Sequence, residues 1–209
     1  MSAPSDPTDG TSSTRETWAL AINYITGRKR AERALGFLAE TSNLLAASLD
    51  YRAALGRVAG LTLGYLADFC SIDLLDEGGA LAQVGLAQSE HVDPSLLGPL
   101  RLYLYPQRTP LTGGVLHALE TGKPERMSSE PEGAAGPRAE RLAELGGAAS
   151  LIMPILARGQ RLGAISIVSL RLGVAKAYGP EEEALLQQLA LRAASAVELA
   201  RLHEKLRGP

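Results

Sequence analysis

Two apolar runs, Leu151-Ile152-Met153-Pro154-Ile155-Leu156-Ala157 and Leu162-Gly163-Ala164-Ile165-Ser166-Ile167-Val168-Ser169, stand on either side of the polar link Arg158-Gly159-Gln160-Arg161. This is the pattern of a β-hairpin, with a glycine in the link to take the positive φ such a turn needs. Both runs are apolar at nearly every position, so both faces of this part of the sheet have to be covered, which puts the hairpin at a sheet centre. Pro154 cannot donate a ladder hydrogen bond and is expected near the start of its strand or at a bulge. The segments before and after the hairpin must supply the cover.

Residues 1–14, rich in Ser, Thr, Pro, Asp and Gly, cannot bury enough apolar surface to offset ordering entropy and are expected to be disordered. Residues 15–50 read as an N-terminal linker and dimerisation helix. Gly27 interrupts its first part, and the basic run Arg28-Lys29-Arg30 leads into Ala31, Leu35, Leu38, Ser42, Leu45 and Leu49. Their alternating four-three spacing is the a/d stripe of a coiled-coil-like helix, although an amphipathic helix lying on its own sheet carries the same stripe.

The core, residues 51–178, opens with a helix over residues 51–68. It passes into the strand Asp68-Phe69-Cys70-Ser71-Ile72-Asp73-Leu74-Leu75, a turn at Asp76-Glu77-Gly78-Gly79, and a hairpin partner over residues 81–87, which form the first edge of the sheet. Residues 88–132 are irregular, with short helices at about 94–103 and 114–120 between Pro- and Gly-marked turns. Thr112 is the N-cap expected for the second of these and Gly122 its C-terminal stop. Such a long, irregular middle is where binding loops usually sit. A short helix over residues 137–145, stopped by Gly146-Gly147, delivers the chain into the central hairpin.

The C-terminal segment, residues 179–209, is a single long helix with Pro180 in its first turn and Glu181-Glu182-Glu183 favourably placed for the helix dipole. It carries two apolar stripes. One is Leu186, Ala190, Ala193, Val197 and Ala200, and the other Leu185, Leu189, Ala196, Leu199 and Leu206. One stripe suffices to dock on a sheet, so the second needs the N-terminal helix or a partner chain.

Composition removes several function classes. Lys+Arg 21 against Asp+Glu 23 gives a formal charge of -2, and aromatic residues are 4%. The first leaves no electrostatic footprint for nucleic acid or an anionic membrane, and the second no stacking platform for single strands. The run at residues 28–30 is therefore a solvated helix face. No apolar run approaches the ~20 residues of a membrane-spanning helix. With one cysteine, Cys70, and no signal-peptide pattern at its start, the chain is expected to be cytoplasmic.

The order helix, strand pair, irregular helical middle, strand pair, long helix resembles a GAF domain over about residues 31–206. Asp68-Phe69-Cys70-Ser71-Ile72-Asp73-Leu74-Leu75 resembles the first strand of bacterial sensor GAF domains. Gly114-Val115-Leu116 through Thr121-Gly122-Lys123-Pro124 is similar to their helix and "TG-x-P" turn, and residues 150–168 to their central hairpin. Tyr178-Gly179-Pro180-Glu181-Glu182, with Arg192-Ala193-Ala194 and Leu199-Ala200-Arg201-Leu202, is similar to their closing helix. The string Ile25-Thr26-Gly27-Arg28-Lys29-Arg30-Ala31-Glu32-Arg33-Ala34-Leu35 resembles the junction that joins a PAS domain to the next module in bacterial sensor histidine kinases, with Gly27 where that junction has an acidic residue. No PAS domain is expected before it and no kinase or phosphatase after it. The module is thus expected to stand alone, naturally or as a piece of a longer sensor, with a kinase or other signalling protein as a separate partner.

The resemblance implies an α+β fold, a GAF/PAS-like central antiparallel sheet covered by helices, with long terminal helices. It also implies small-molecule binding between the sheet and the irregular middle, and signalling by movement of the flanking helices. Members that reduce free methionine sulfoxide need several cysteines for thiol-disulfide exchange, and this chain has only Cys70. The Asn-Lys…Phe…Asp-Glu signature of cyclic-nucleotide binders is absent. Bilin binders attach pigment through a cysteine often next to a histidine, whereas Cys70 precedes Ser71 in an apolar strand and reads as a buried structural cysteine. Of the three histidines, His91 reads as a loop residue and His203 as a helix-surface residue. His117, on the helix beside the expected pocket, is the one candidate haem ligand. No Cys/His cluster supports a metal, and the sequence requires no cofactor.

Tyr103, Tyr105, Arg108 and His117 from the middle segment, with Ser166 from the hairpin, are the candidate ligand contacts. Each also has a plain structural role open to it: packing under the loop, solvation, or a small side chain that lets a helix approach. The expectation is a non-catalytic cytoplasmic sensory module, dimerising through Leu35, Leu38, Leu45, Ala193, Val197 and Ala200 on its terminal helices. The alternative is a protein-interaction scaffold that binds no ligand.

Overall fold

The computed structural model describes residues 9–48, 50–105, 113–128, 137–146, 149–170 and 178–207, with residues 9–26 as backbone alone. Leu49, Arg108 and Thr112 lie outside the described residues. The chain divides into two compact units, Met1–Ala39 and Glu40–Pro209.

The first unit is the greater part of helix α1, Asp9–Ala46. Residues 9–14, expected to be disordered, are helical, and Gly27 does not interrupt the helix. One glycine costs a helix only about 1 kcal/mol relative to alanine, and Arg28 Nε meets Glu32 Oε1 at 2.9 Å one turn along the exposed face. An exposed pair at that spacing is worth a few tenths of a kcal/mol.

In the second unit, Asp50 caps helix α2 (Tyr51–Leu63), its carboxylate accepting from the backbone N–H of Arg52 at 3.0 Å and Ala53 at 3.1 Å. The helix ends earlier than its pattern suggests because the N–H groups of Tyr65, Leu66 and Ala67 all turn onto the Thr62 carbonyl. Strands β1 (Phe69–Leu75) and β2 (Leu81–Gln88) follow, then a 3-10 turn at Pro94–Leu96 and helices α3 (Leu97–Leu104) and α4 (Gly114–Thr121). Strand β3 (Glu125–Ser128), α5 (Pro137–Glu144), β4 (Ala149–Ala157), β5 (Gln160–Ser169) and α6 (Pro180–Arg207) complete the chain.

The strands form one antiparallel sheet in the order β2-β1-β5-β4-β3. The apolar hairpin is β4 and β5, and β5 is the middle strand. Arg158 and Gly159 both have positive φ, 48° and 77°, the signature of a two-residue turn whose twist matches the strands. Pro154 sits inside β4, next to the register shift at Ile155/Leu156 and past the last β3 pair, Glu125↔Ile152. One side of the strand has no ladder partner there, so a missing N–H is tolerated.

Helices α2 and α6 cover the face carrying Cys70, Ile72 and Leu74 of β1 with Ile165 and Ile167 of β5, all buried. Helices α3, α4 and α5 cover the other face. There Leu100, Leu104, Val115, Leu119 and Leu142 pack on Phe69, Ile152, Ala164 and Val168.

Helix α6 buries a wider arc than one stripe. Leu185, Leu186, Leu189, Ala190, Ala193, Ala194 and Val197 are all buried, whereas Leu191, Leu199, Leu202 and Leu206 are exposed. The expected dimer contacts are corrected accordingly. Leu45, Ala193 and Val197 belong to the core of this chain, Leu38 and Ala200 are half-buried, and only Leu35, 68% exposed, is open on its helix. Among the described residues, no helix is long and apolar enough to cross a membrane.

Strand β1 lies close against β5 at Gly163, where a Cβ would run into the Asp73 carbonyl and lie 2.9 Å from Leu74 Cα. Gly163→Ala must therefore part the two strands. We expect it to lower stability by about 1–3 kcal/mol, the usual cost of overpacking, read as a shift of the urea midpoint at unchanged slope.

Candidate ligand-binding site

Successive residues of a strand face opposite ways, so the α3 side of β1 presents Phe69, Ser71 and Asp73. Phe69 joins the apolar cluster. Ser71 and Asp73 are polar and buried. Opposite them on β5, Val168 pairs with Phe69, Ser166 with Ser71 and Ala164 with Asp73. A register irregularity between β1 and β2 skips Val84 and sets Gln83 against Asp73.

The hydrogen bonds of this patch run one way. Gln83 Nε2 donates to Ser71 Oγ at 3.1 Å, and Ser71 Oγ donates to Asp73 Oδ2 at 2.9 Å. Tyr105, at the C-terminal end of α3, brings its hydroxyl to the same carboxylate. Burial raises the Asp73 pKa above its ordinary value of 3.8, opposed by the Tyr105 and Ser71 hydroxyls and by the charge of Arg101. Burial also pushes the Tyr105 phenol upward, and the Asp73 charge adds to this. Although Tyr105 is close enough to feel that charge, its oxygen completes no hydrogen bond of regular geometry. Ser166 Oγ and Gln88 Oε1 are likewise buried with no hydrogen-bond partner. Gln88 pairs with Phe69 on β2 and so shares this face.

The sequence-derived candidates separate cleanly. Tyr105 and Ser166 come together here. Tyr103 is buried nearby, but its hydroxyl is 2.7 Å from Ser150 Oγ, a pairing that satisfies both. His117 is exposed on α4, while Val115, Ala118 and Leu119 supply that helix's buried face, so it does not face the sheet. His91 and His203 are also exposed. Arg108 lies outside the described residues. Ser71, Asp73, Gln83 and Gln88 were missed, although polar residues at alternate positions 71 and 73 of an otherwise apolar strand were a usable sign. Where Thr112 was the expected cap of α4, both carboxylate oxygens of Glu125 lie 2.9 Å from the Gly114 nitrogen, a negative charge where the helix dipole favours one.

Cys70 faces away from the patch. It is fully buried, and desolvation pushes its thiol up to about 12, with Thr62 opposing and Asp73 adding to the shift. A thiol in that state is a poor nucleophile. Among the described residues no three His, Cys, Asp or Glu side chains gather as a metal site.

The GAF domain model matches residues 33–197, and the chain belongs to the GAF domain family. No curated protein matches it. Among solved structures it is similar to the GAF domain of a phosphoenolpyruvate-protein phosphotransferase from Coxiella burnetii, at 22% identity and TM-score 0.58, over 84% of this chain and 98% of that one. It is also similar to the phycocyanobilin-bound GAF domain of a cyanobacterial phytochrome, at 16% identity and TM-score 0.60, over 81% and 96% of the two chains. A third is the free methionine-R-sulfoxide reductase of Neisseria meningitidis in complex with its substrate, at 16% identity and TM-score 0.55, over 82% and 93%. At these identities the likeness is one of fold.

The raised carboxyl has a measurable consequence. A group that holds its proton more tightly folded than unfolded loses stability for the fold as pH climbs from the ordinary carboxylate range through the raised value. Asp73→Asn should therefore raise the melting temperature at neutral pH, by about 2–4 °C for each kcal/mol relieved. The gain over the parent should vanish below the ordinary carboxylate pKa, and paired melts across that pH range check it.

Proposed function

We propose that this GAF domain is a non-catalytic sensory module that binds a small molecule on the α3 side of its sheet, around Asp73, Ser71, Tyr105 and Ser166. The observation that carries this reading is the grouping of three buried polar atoms without partners, Tyr105 Oη, Ser166 Oγ and Gln88 Oε1, on one face with a buried carboxylate. Each such atom costs about 1–3 kcal/mol if nothing satisfies it, and natural folds leave few. A bound polar molecule would satisfy several at once. The bilin of the phytochrome GAF domain and the substrate of the reductase are precedents for ligands on this fold. The state of Cys70 argues against thiol chemistry like a reductase's.

The module's output, in this proposal, passes through its terminal helices in a homodimer. The exposed leucines 191, 199, 202 and 206 follow helical spacing along α6, and Leu35 is exposed on α1. A second copy is the partner such a stripe suits. The string at residues 25–35 supports a place in cytoplasmic two-component signalling, with a histidine kinase or another signalling protein downstream. A ligand-free scaffold is the second reading, favoured by the apolar cluster that fills the Phe69 and Ile152 part of the same face.

Native mass spectrometry beside a denatured control tests both. The expected result is a dimer carrying a small mass that disappears on denaturation and is absent from Ser166→Phe. Leu199→Glu with Leu202→Glu should give a folded monomer. A dimer that never carries an adduct supports the scaffold.

A further inference from the structure

The class of molecule that suits the patch follows from its hydrogen count, and this rests on the small-molecule reading above. Ser71 has a single proton, spent on Asp73, and one of its lone pairs is taken by Gln83. A carboxylate offers about four acceptor positions and an amide oxygen two. With one of its positions taken by Ser71, the Asp73 carboxylate therefore holds more open acceptor sites than the two free hydroxyl protons of Tyr105 and Ser166 can fill. Among the described residues no Lys or Arg forms an ion pair with Asp73. Arg101, the one cation among the described residues whose charge reaches it, is itself exposed. The patch is buried, rich in acceptors and negatively charged.

We propose that this site selects a small molecule presenting a cationic nitrogen donor, an ammonium or amidinium group, to Asp73, with Ser166 and Tyr105 completing its hydrogen bonds. A buried carboxylate without an ion-pair partner is the counter-charge such a group requires, and a charge-assisted bond is about twice as strong as a neutral one. An anion would face like-charge repulsion in a site of low dielectric. The upward push on the Asp73 carboxyl agrees, because a cation placed there would relieve it.

Three probes of one shape separate the classes: benzamidine, a cation; benzamide, a neutral donor and acceptor; and benzoate, an anion. Each is titrated by NMR into the full chain, into Asp73→Asn and into Ser166→Ala. Benzamidine should bind the parent most tightly, lose about tenfold or more in affinity in Asp73→Asn, and lose less in Ser166→Ala. Benzamide affinity should move by less than about threefold in Asp73→Asn, the neutral bond being the weaker kind. Unaltered NMR dispersion of both variants shows that they fold. Preferred binding of benzoate, or benzamidine binding indifferent to Asp73→Asn, overturns the cation class while leaving a ligand site in place. Silence of all three probes also overturns it, and the native mass measurement separately decides whether any small molecule is held.

Discussion

The ladder between β1 and β5 is the pairing on which the domain depends. It runs from Phe69↔Val168 to Leu74↔Gly163 and joins the β1-β2 hairpin to the β5-β4-β3 half of the sheet. Its partners are distant in sequence, so forming it carries the loop-closure entropy of the whole irregular middle. Apolar residues on both faces offset this: Ile72 and Leu74 of β1 with Ile165 and Ile167 of β5 under α2 and α6, and Phe69 with Val168 and Ala164 under the short helices. The α2 and α6 face is apolar along both strands, whereas the opposite face interrupts its apolar cluster with Ser71, Asp73 and Ser166.

Residues 70 and 73 show how far a strand can separate two environments. Cys70 is shut among apolar side chains, where burial silences its thiol. Asp73, on the other face, is also buried but accepts from the Ser71 hydroxyl, which in turn accepts from the Gln83 amide. Burial raises the Asp73 pKa, so its charged form costs the fold stability, and groups held at such cost tend to be functional. Gly163 matters for the same reason. By admitting the backbone of β1 so closely it fixes Asp73 across the ladder from Ala164, beside the Ser71 and Ser166 pair.

Much of this architecture can be read from the residues. Unbroken apolar runs with Gly159 between them announce the central hairpin, and Gly122 and Pro180 mark helix ends where the structure has them. Strand β3 was not legible, because Glu-Arg-Met-Ser has no apolar alternation and becomes a strand only by pairing with β4. The site was half legible. Tyr105 and Ser166 stood out as polar residues near the expected pocket, but Gln83 comes opposite Asp73, and reaches Ser71, through a register irregularity that no local pattern encodes. His117 misled because a helix of eight residues does not reveal from sequence which flank it turns to the sheet. The stripe of α6 misled differently. Its alanines looked like contact points for a partner, and the domain's own sheet uses them instead.

That use of alanine bears on how the patch would reach the helices. Arg201 on α6 donates to the Leu75 carbonyl at 2.6 Å, two residues along β1 from Asp73. Arg192, further back on the helix, donates to Ser42 Oγ at 2.9 Å. The helix is thus hydrogen-bonded to the strand that carries the carboxylate and to the segment that enters the domain. Its inner surface between these two arginines includes Ala193, Ala194 and Val197, small side chains that interlock less deeply than leucines would. Coupling requires an element with two available packings that both sites bias. The first turns of the helix are keyed by the buried Leu185, Leu186 and Leu189, and the small side chains follow only beyond them. A charge brought to Asp73 would act on β1 first, and the bond from Arg201 to the Leu75 carbonyl ties that strand directly to α6.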